Sequence, residues 1–185
     1  GRRFGSAPRR AWPVGGRAAR GTQTLAQSAP LTYGIHLTDE GATTAFGGLL
    51  AAAIQRAKAT SMLLTLTGDL GAGKTSLARG LIRGLGHEGS VPSPTYALLE
   101  PYHLAFATVT HLDLYRLADA SELEFLGWRD LGDSIRIVEW PERVPELAAE
   151  ADLDIRLRPE GEGRAAMVAA RSPIGQSVLQ AVLTN

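Results

Sequence analysis

Residues 68–75 read GDLGAGKT: one glycine, four residues, a second glycine, then lysine and threonine. This is the spacing of a phosphate-binding loop, in which glycines without a Cβ let backbone amides converge on an anion. Such a loop connects a strand to a helix. Residues 61–67 have the apolar, β-branched character of a buried parallel strand, and residues 76–85 repeat apolar side chains at helical spacing. The alternative, a glycine-rich turn without a ligand, is disfavoured by these flanks.

The loop predicts a nucleoside triphosphate with Mg²⁺ as its ligand. Lys74 would bring a compact charge to the β- and γ-phosphates, and Thr75 would offer a hydroxyl to Mg²⁺. Lys74 is one of two lysines in a chain with 17 arginines, so the loop keeps lysine against the general composition. The nucleotide-binding residues predicted in this segment are Gly68, Asp69, Leu70, Gly71, Ala72, Gly73, Lys74, Thr75 and Ser76.

Composition excludes several classes of protein. The chain has no cysteine, so disulfides and cysteine-based zinc sites are impossible, and its four histidines are scattered. No apolar run reaches transmembrane length, which predicts a cytoplasmic protein without membrane contact. All 19 acidic residues lie from Asp39 onward, against 13 basic ones, so this part carries a net charge of −6. Direct binding to a nucleic-acid backbone is therefore disfavoured.

The charge distribution also divides the chain into two parts. Residues 1–30 are rich in Arg, Gly, Ala and Pro, without acids or sustained periodicity, which predicts a disordered basic extension. A transit peptide, a contact with RNA or membrane, and a start site assigned too early are alternatives. Residues 31–185 are predicted to form one P-loop ATPase domain.

The order of elements predicts an α/β fold: a P-loop NTPase-like three-layer sandwich with a mixed, mostly parallel central sheet. Strands are expected at 31–37, 61–67, 96–102, 107–114, 134–140, 152–158 and 164–170. Helices are expected from a cap at Thr38 to about Lys58, at 76–85, around 120–131, at 142–149, and after Ser172 and Pro173.

Two carboxylates and a threonine are the candidate catalytic residues, because triphosphate chemistry needs groups that hold Mg²⁺, position water and sense the γ-phosphate. Glu139 closes an apolar strand, as a second metal ligand would, directly or through water; it could instead be a surface carboxylate. Asp113 near a strand end is a candidate general base or ligand of Mg²⁺-bound water, or a carboxylate that bonds turn amides. Thr95, held by prolines, is similar to the switch threonine of GTPases, or belongs to an ordinary strand-entry turn.

Trp140 is a further candidate nucleotide-binding residue, which would cover the base or stiffen the site, unless it is only a core or interface anchor. Guanine selectivity is disfavoured because no Asn-Lys-x-Asp sequence occurs and the single asparagine is Asn185. ATP is therefore the expected nucleotide. A small-molecule kinase and a nucleotide-gated binding module with incidental hydrolysis remain alternatives.

Four segments together resemble the bacterial TsaE (YjeE) family: GDLGAGKT, VPSPTYALLEPY, HLDLYRL and IRIVEWPERV. The resemblance extends in order and spacing from about Leu31 to Leu183. The Arg-rich residues 1–30 fall outside the family pattern, and Tyr96 stands where the family often has Phe.

The resemblance implies a Mg²⁺-dependent ATPase of tRNA threonylcarbamoyladenosine biosynthesis that hydrolyses ATP slowly alone. Such proteins associate with the TsaB–TsaD heterodimer, where TsaD modifies adenosine 37, and hydrolysis is thought to reset that complex. This chain would then contact tRNA only indirectly. Carried over by motif, the family's functional residues correspond to Lys74, Thr75, Thr95, Asp113, Glu139 and Trp140.

Overall fold

A computed structural model describes residues 30–119 and 121–184. The predicted basic extension, residues 1–30, lies outside this range except for Pro30. Seven strands occur in the described residues: β1 (Thr32–Leu37), β2 (Met62–Thr67), β3 (Leu99–His103), β4 (Thr108–Asp113), β5 (Ile135–Glu139), β6 (Leu153–Glu160) and β7 (Gly163–Ala170). The helices are α1 (Glu40–Arg56), α2 (Lys74–Gly84), α3 (Ser121–Phe125), α4 (Pro145–Ala149) and α5 (Pro173–Leu183), with 3₁₀ turns at Trp128–Asp130 and Pro141–Arg143.

The strands form one mixed sheet in the order β1-β7-β6-β2-β5-β4-β3. The four central strands, β6, β2, β5 and β4, pair in parallel, whereas β1, β7 and β3 are added antiparallel at the two sides. Register places Glu139 of β5 between Leu66 of β2 and Asp113 of β4. The two candidate carboxylates therefore lie side by side at the carboxyl ends of the parallel strands, where β2 enters the glycine loop.

Helices cover both faces of the sheet, so the predicted three-layer α/β sandwich is confirmed. Alternate residues of β2 face opposite layers: Met62, Leu64 and Leu66 join the large core beneath α1, α2 and α5. Leu63 joins a smaller core on the other face, with residues of α3, α4 and the ends of β4 and β5. Because β2 is buried on both faces, the continuous apolar run in its sequence is explained.

Helices α1 and α2 pack with their backbones in contact, through glycines. A Cβ added at Gly80 of α2 would lie 2.0 Å from the carbonyl oxygen of Thr44 in α1. A Cβ at Gly47 of α1 would lie 2.4 Å from the carbonyl oxygen of Leu77. This contact holds α2 against α1 and so fixes the N-terminus of α2, where the glycine loop ends.

The first helix is capped one residue later than predicted. Asp39, not Thr38, is the N-cap: its backbone is extended (φ −156°), and its carboxylate accepts a 2.7 Å hydrogen bond from the amide of Ala42. This bond is the main cause of a lowered pKa of Asp39. A carboxylate here also complements the positive end of the helix, which a Thr38 hydroxyl would not do.

Further boundaries differ from the sequence-based expectation. The helix predicted around 120–131 is divided into α3 and the 3₁₀ turn Trp128–Asp130. The strand predicted from Tyr96 begins at Leu99, because residues 95–97 form a turn in which the amide of Leu98 donates to the carbonyl of Pro94. The single helix predicted at 142–149 is divided into a 3₁₀ turn and α4. Val144 has φ −135° and ψ 84°, outside the helical region, as expected of a residue that precedes Pro145.

The strands β1 and β3 are the edges of the sheet. In β3, Pro101 faces Thr110 of β4. No helix within the described ranges combines the length and the apolar character needed to cross a bilayer.

Candidate nucleotide-binding site

A cleft of about 490 Å³ opens at the carboxyl ends of the central parallel strands. This is where open α/β sheets bind ligands. Its walls come from the glycine loop and the start of α2, the connector after α2, the ends of β4 and β5, and the starts of α1 and β7. The predicted site residues that line it are Leu70, Gly71, Gly73, Lys74, Thr75, Ser76, Thr95, Asp113, Glu139 and Trp140.

The other three predicted loop residues, Gly68, Asp69 and Ala72, do not line the cleft. Gly68 and Asp69 turn their carbonyl oxygens toward the side chain of Lys74. Ala72 is buried, and its amide donates to the carbonyl of Asp69. These residues shape the loop, whereas Gly71 and Gly73 present its backbone to the cleft.

The loop backbone has the conformation that its glycines allow. Gly71 has φ 79° and Gly73 has φ 103°, in the region that residues with a Cβ rarely adopt. Gly73 is the N-cap of α2, and no side chain caps the helix there. The first amides of α2 are thus left as hydrogen-bond donors at the positive end of the helix, which favours an anion.

Lys74 is held inside the loop rather than extended into water. Its Nζ donates to the carbonyls of Gly68 (2.6 Å) and Asp69 (3.0 Å) and lies 3.8 Å from the centroid of the Trp140 ring. Burial lowers the pKa of Lys74, and the neighbouring carboxylates, Glu139 first among them, oppose that shift. The ammonium is therefore a partly desolvated charge, which strengthens its attraction for an anion.

Thr75, Glu139 and His111 form a chain of hydrogen bonds on the β5 side of the cleft. The hydroxyl of Thr75 donates to Oε2 of Glu139 at 3.1 Å, and Nε2 of His111 lies 2.9 Å from Oε1. Because an ionised carboxylate only accepts hydrogen bonds, His111 is the donor in this pair. Glu139 is 2% exposed and His111 is 0% exposed. Glu139 is thus not a surface carboxylate.

The sequence alone does not predict a functional role for His111, because histidines in strands are commonly structural. Its contact with Glu139 follows from register, since His111 lies on the strand next to Glu139. Its Nδ1 is buried without a hydrogen-bond partner among the described residues. The bond from Nε2 therefore accounts for the polar contacts of this ring and directs it toward the candidate metal ligand.

Asp113 accepts hydrogen bonds from the connector between α2 and β3. Its Oδ2 accepts from the hydroxyls of Thr95 (2.6 Å) and Ser93 (3.1 Å), and its Oδ1 accepts from the amide of Tyr115 (3.0 Å). The last bond is the turn interaction that the sequence offered as an alternative, and it coexists with the position of Asp113 in the cleft wall. Asp113 thus fixes the Thr95 hydroxyl at the cleft.

Trp140 lies at the same end of the cleft as Lys74. It has a left-handed backbone (φ 59°), and its ring centroid is 5.0 Å from that of Tyr115. The ring therefore packs against the ammonium of Lys74.

Two charged residues of the cleft wall carried no signal in the sequence. Glu40, from the first turn of α1, accepts from the hydroxyl of Ser76 at 2.9 Å. Arg164, from the start of β7, lies against Gly73. Neither belongs to a local motif, and only the packing of α1 and the order of strands bring them to the loop.

The donor set fits a nucleotide phosphate with Mg²⁺. The Thr75 hydroxyl and the Glu139 carboxylate are hard oxygen ligands, as Mg²⁺ prefers. In residues 30–119 and 121–184, no group of three or more His, Asp or Glu side chains forms a metal site by itself. Two protein oxygens beside a loop that presents amides and a lysine are what a cation shared with a phosphate chain requires.

A family model and individual relatives of known name indicate the same family. The family model described as "Threonylcarbamoyl adenosine biosynthesis protein TsaE" matches residues 37–166. A Haemophilus influenzae relative named "tRNA threonylcarbamoyladenosine biosynthesis protein TsaE" is 43% identical over 123 residues, which are 65% of this chain and 78% of that protein. Relatives of the same name from Synechocystis and Bacillus subtilis are 46% and 36% identical, over 59% and 63% of their own lengths.

Among solved structures, the chain is similar to Bacillus subtilis YdiB, with a TM-score of 0.67 and 23% sequence identity. The match covers 85% of this chain and 97% of YdiB. At this identity the likeness concerns the fold alone. The family model covers more than half of the chain, and we conclude that the chain belongs to the TsaE family.

Proposed function

We propose that this protein is a Mg²⁺-dependent ATPase of tRNA threonylcarbamoyladenosine biosynthesis. The observation that carries the proposal is the convergence of Lys74 with the hydrogen-bonded pair Thr75 and Glu139 on one cleft. The loop supplies positive charge for the phosphates, and the pair supplies oxygens for the cation. The pathway is the one named in the family description and in the relatives' names.

The predicted site residues would divide the proposed reaction among them. The loop amides and Lys74 would neutralise phosphate charge, and Thr75 with Glu139 would hold Mg²⁺. Bound Mg²⁺ would stabilise negative charge on the phosphates. Thr95 would sense the γ-phosphate, while Asp113 would orient water or the metal through the connector that it holds. Catalysis of this kind depends on positioning and charge stabilisation.

Trp140 would stiffen the site rather than cover the base. Its ring contacts the ammonium of Lys74, which is the group expected at the β- and γ-phosphates, and an ammonium over an indole face is attracted to it. The aromatic wall therefore keeps the lysine in place and excludes water from the phosphate end of the cleft.

We propose further that the protein acts on a TsaB–TsaD complex, with tRNA contacted only through that complex. The excess of six acidic charges after residue 38 supports an indirect role, because it opposes contact with a phosphate backbone. Co-purification with TsaB and TsaD, followed by an ATPase assay of the complex, tests this proposal. Absence of association would contradict it and leave only the nucleotide site.

The nucleotide site is tested by substituting the two lysines of the chain in parallel. Lys74→Ala should weaken ATP binding by tenfold or more, because a hydrogen-bonded charge contributes about 1.5–3 kcal/mol. Lys58→Ala is the matched control, since Lys58 is exposed and lies outside the cleft. Titration calorimetry measures both. Equal ATP affinity of Lys74→Ala and wild type would contradict the assignment of the site.

Two other uses of the same cleft are separable by experiment. A small-molecule kinase would transfer label from γ-labelled ATP to an acceptor other than water, whereas the proposed ATPase would release phosphate. A nucleotide-gated binding module would support assembly and function equally with ATP and with a non-hydrolysable analogue. The proposed ATPase should support a single round of function with the analogue and repeated rounds only with ATP.

A further inference from the structure

Arg164 lies directly on the glycine loop. A Cβ built on Gly73 would be 2.3 Å from Nη1 of Arg164 and 3.4 Å from its Cζ. The guanidinium therefore occupies the space that a side chain at Gly73 would fill, beside the N-terminus of α2. It also forms part of the cleft wall.

No residue within the described ranges pairs directly with the guanidinium of Arg164. Among the described residues, no side-chain hydrogen bond or ion pair to its guanidinium is found, although the other arginines of this hairpin, Arg156 and Arg158, pair with carboxylates. Asp39 is close enough for Arg164 to contribute, as the smallest of several causes, to its lowered pKa. A half-buried cation with no ion pair is unusual, because burial disfavours charge.

The surroundings of Arg164 favour a bound anion. A helix N-terminus carries partial positive charge, and the ammonium of Lys74 lies in the next residue of the loop. The guanidinium of Arg164 and the helix terminus beside it carry charge of the same sign and repel each other. A negatively charged group beside them would be attracted to both and would offset this repulsion. The geometry of Arg164 is thus that of an anion-binding residue.

The strand order defines which part of a nucleotide Arg164 would meet. Glu139 and Asp113 end β5 and β4, on one side of the loop strand β2, whereas Arg164 begins β7 on the other side. In the proposed site, the metal ligands and Thr95 would lie near the γ-phosphate, at the free end of the phosphate chain. Arg164 therefore faces the opposite end, where the phosphate chain joins the nucleoside.

We propose that Arg164 binds the α-phosphate of the nucleotide from the side opposite the metal ligands. This inference rests on the proposed nucleotide site and adds a residue to it that the loop motif does not contain. Such a contact is made equally by ATP and ADP. It differs from a γ-phosphate contact, which only ATP can form.

The test compares Arg164→Ala with Arg158→Ala, by calorimetry with Mg²⁺ and either ADP or a non-hydrolysable ATP analogue. Arg158 is the matched control because it lies in the same hairpin, is 77% exposed, and is outside the cleft. Arg164→Ala should weaken both nucleotides by the same factor, roughly tenfold, as expected for loss of a charge-assisted hydrogen bond. Arg158→Ala should leave both affinities within twofold of wild type.

Thermal unfolding without nucleotide provides a readout that separates binding from structure. Arg164→Ala should melt at or above the wild-type temperature, because it removes an unpaired cation from a helix N-terminus. Nucleotide should then raise its melting temperature less than that of wild type.

Three outcomes would overturn the inference. Equal nucleotide affinity of Arg164→Ala and wild type would show that the guanidinium does not contact the ligand. A loss confined to the ATP analogue would place the contact at the γ-phosphate. A lower melting temperature without nucleotide, together with unchanged nucleotide affinity, would assign Arg164 a structural role. Failure of the wild-type protein to bind either nucleotide would instead contradict the proposed function itself.

Discussion

Glu139 is a buried carboxylate whose charge is supported by two hydrogen bonds, from Thr75 and His111. Taking a carboxylate out of water costs several kcal/mol unless such partners are present. An apolar side chain of similar volume at this position would stabilise the fold at least as well as the buried carboxylate does. The arrangement is explained if the carboxylate is kept for a cation, because metal-binding carboxylates are held in orientation by outer hydrogen bonds.

Glu139→Gln tests this explanation at the scale of one atom. The substitution keeps the shape of the side chain and removes the charge, so Mg²⁺-dependent turnover should fall by tenfold to a hundredfold or so. Nucleotide binding in the presence of a chelator should change much less. Steady-state phosphate release and calorimetry with and without Mg²⁺ measure the two effects.

Glu142→Gln is the control for this experiment, since it removes an exposed carboxylate that also acts on Lys74 through its charge. Its turnover should stay near that of wild type. If Glu139→Gln also turns over at the wild-type rate, Glu139 has only a structural function.

Local motifs predict residues that act through their own segment, and Lys74 and Thr75 are of this kind. The spacing of the glycines determines the conformation of the loop, so the sequence alone predicts that Lys74 and Thr75 lie together. His111 and Arg164 could not be found in this way. His111 meets Glu139 only because β4 pairs with β5, and Arg164 meets Gly73 only because β7 lies two strands from β2.

At the scale of elements, the contact between α1 and α2 determines where the loop ends in space. Gly47 and Gly80 let the two helix backbones meet, and Gly84 lies against Ala51 in the same contact. The helices themselves were predicted from apolar periodicity. Glycine has low helix propensity, and the sequence does not predict a packing role for these glycines. That role depends on the close approach of two helices, which neither helix shows by itself.

Gly80→Ala and Gly48→Ala should have opposite effects on stability. Gly48 also lies in α1, but a Cβ added there meets no atom within 4 Å. Gly48→Ala should therefore gain about 0.5–1 kcal/mol from reduced backbone entropy. Gly80→Ala should lose roughly 1–3 kcal/mol net, because the added methyl group forces α1 and α2 apart.

Equilibrium urea unfolding of the two variants and wild type measures these differences. Equal stabilisation by both substitutions would show that the helices separate without cost and that the glycine contact is not a constraint. The Gly80→Ala variant should also bind nucleotide more weakly, since α2 begins at the loop.

At the scale of the whole molecule, the proposed ligand should stabilise the fold because the cleft exists only when β2, β4, β5 and β7 are assembled. Mg²⁺ with ATP at a hundred times its dissociation constant should add about 2.7 kcal/mol, or roughly 5–10 °C in melting temperature. Lys74→Ala should show little of this shift. Differential scanning fluorimetry with nucleotide, and with Mg²⁺ alone, measures it; a full shift with Mg²⁺ alone would contradict a cation shared with phosphate.

The sequence predicted the α/β class and the three layers, because buried parallel strands and amphipathic helices alternate around the loop. It could not predict the order β1-β7-β6-β2-β5-β4-β3, which depends on pairings between segments far apart in the chain. The division of the predicted helix at 142–149 was missed for a local reason. Pro145 both ends one turn and begins the next helix, and periodicity alone does not distinguish these roles.

Pro101 in the edge strand β3 has a consequence for how copies of this protein meet. Cross-strand bonds join Leu98 to Asp113 and Leu104 to Ala107, at opposite ends of β3. Because bonded and non-bonded pairs alternate along an antiparallel ladder, Pro101, opposite Thr110, occupies a non-bonded position and its nitrogen points away from β4. The proline therefore takes no bond from the ladder and leaves the open edge one donor short. A strand from a second copy would find an incomplete template there, which protects a sheet with two free edges from growing into aggregates.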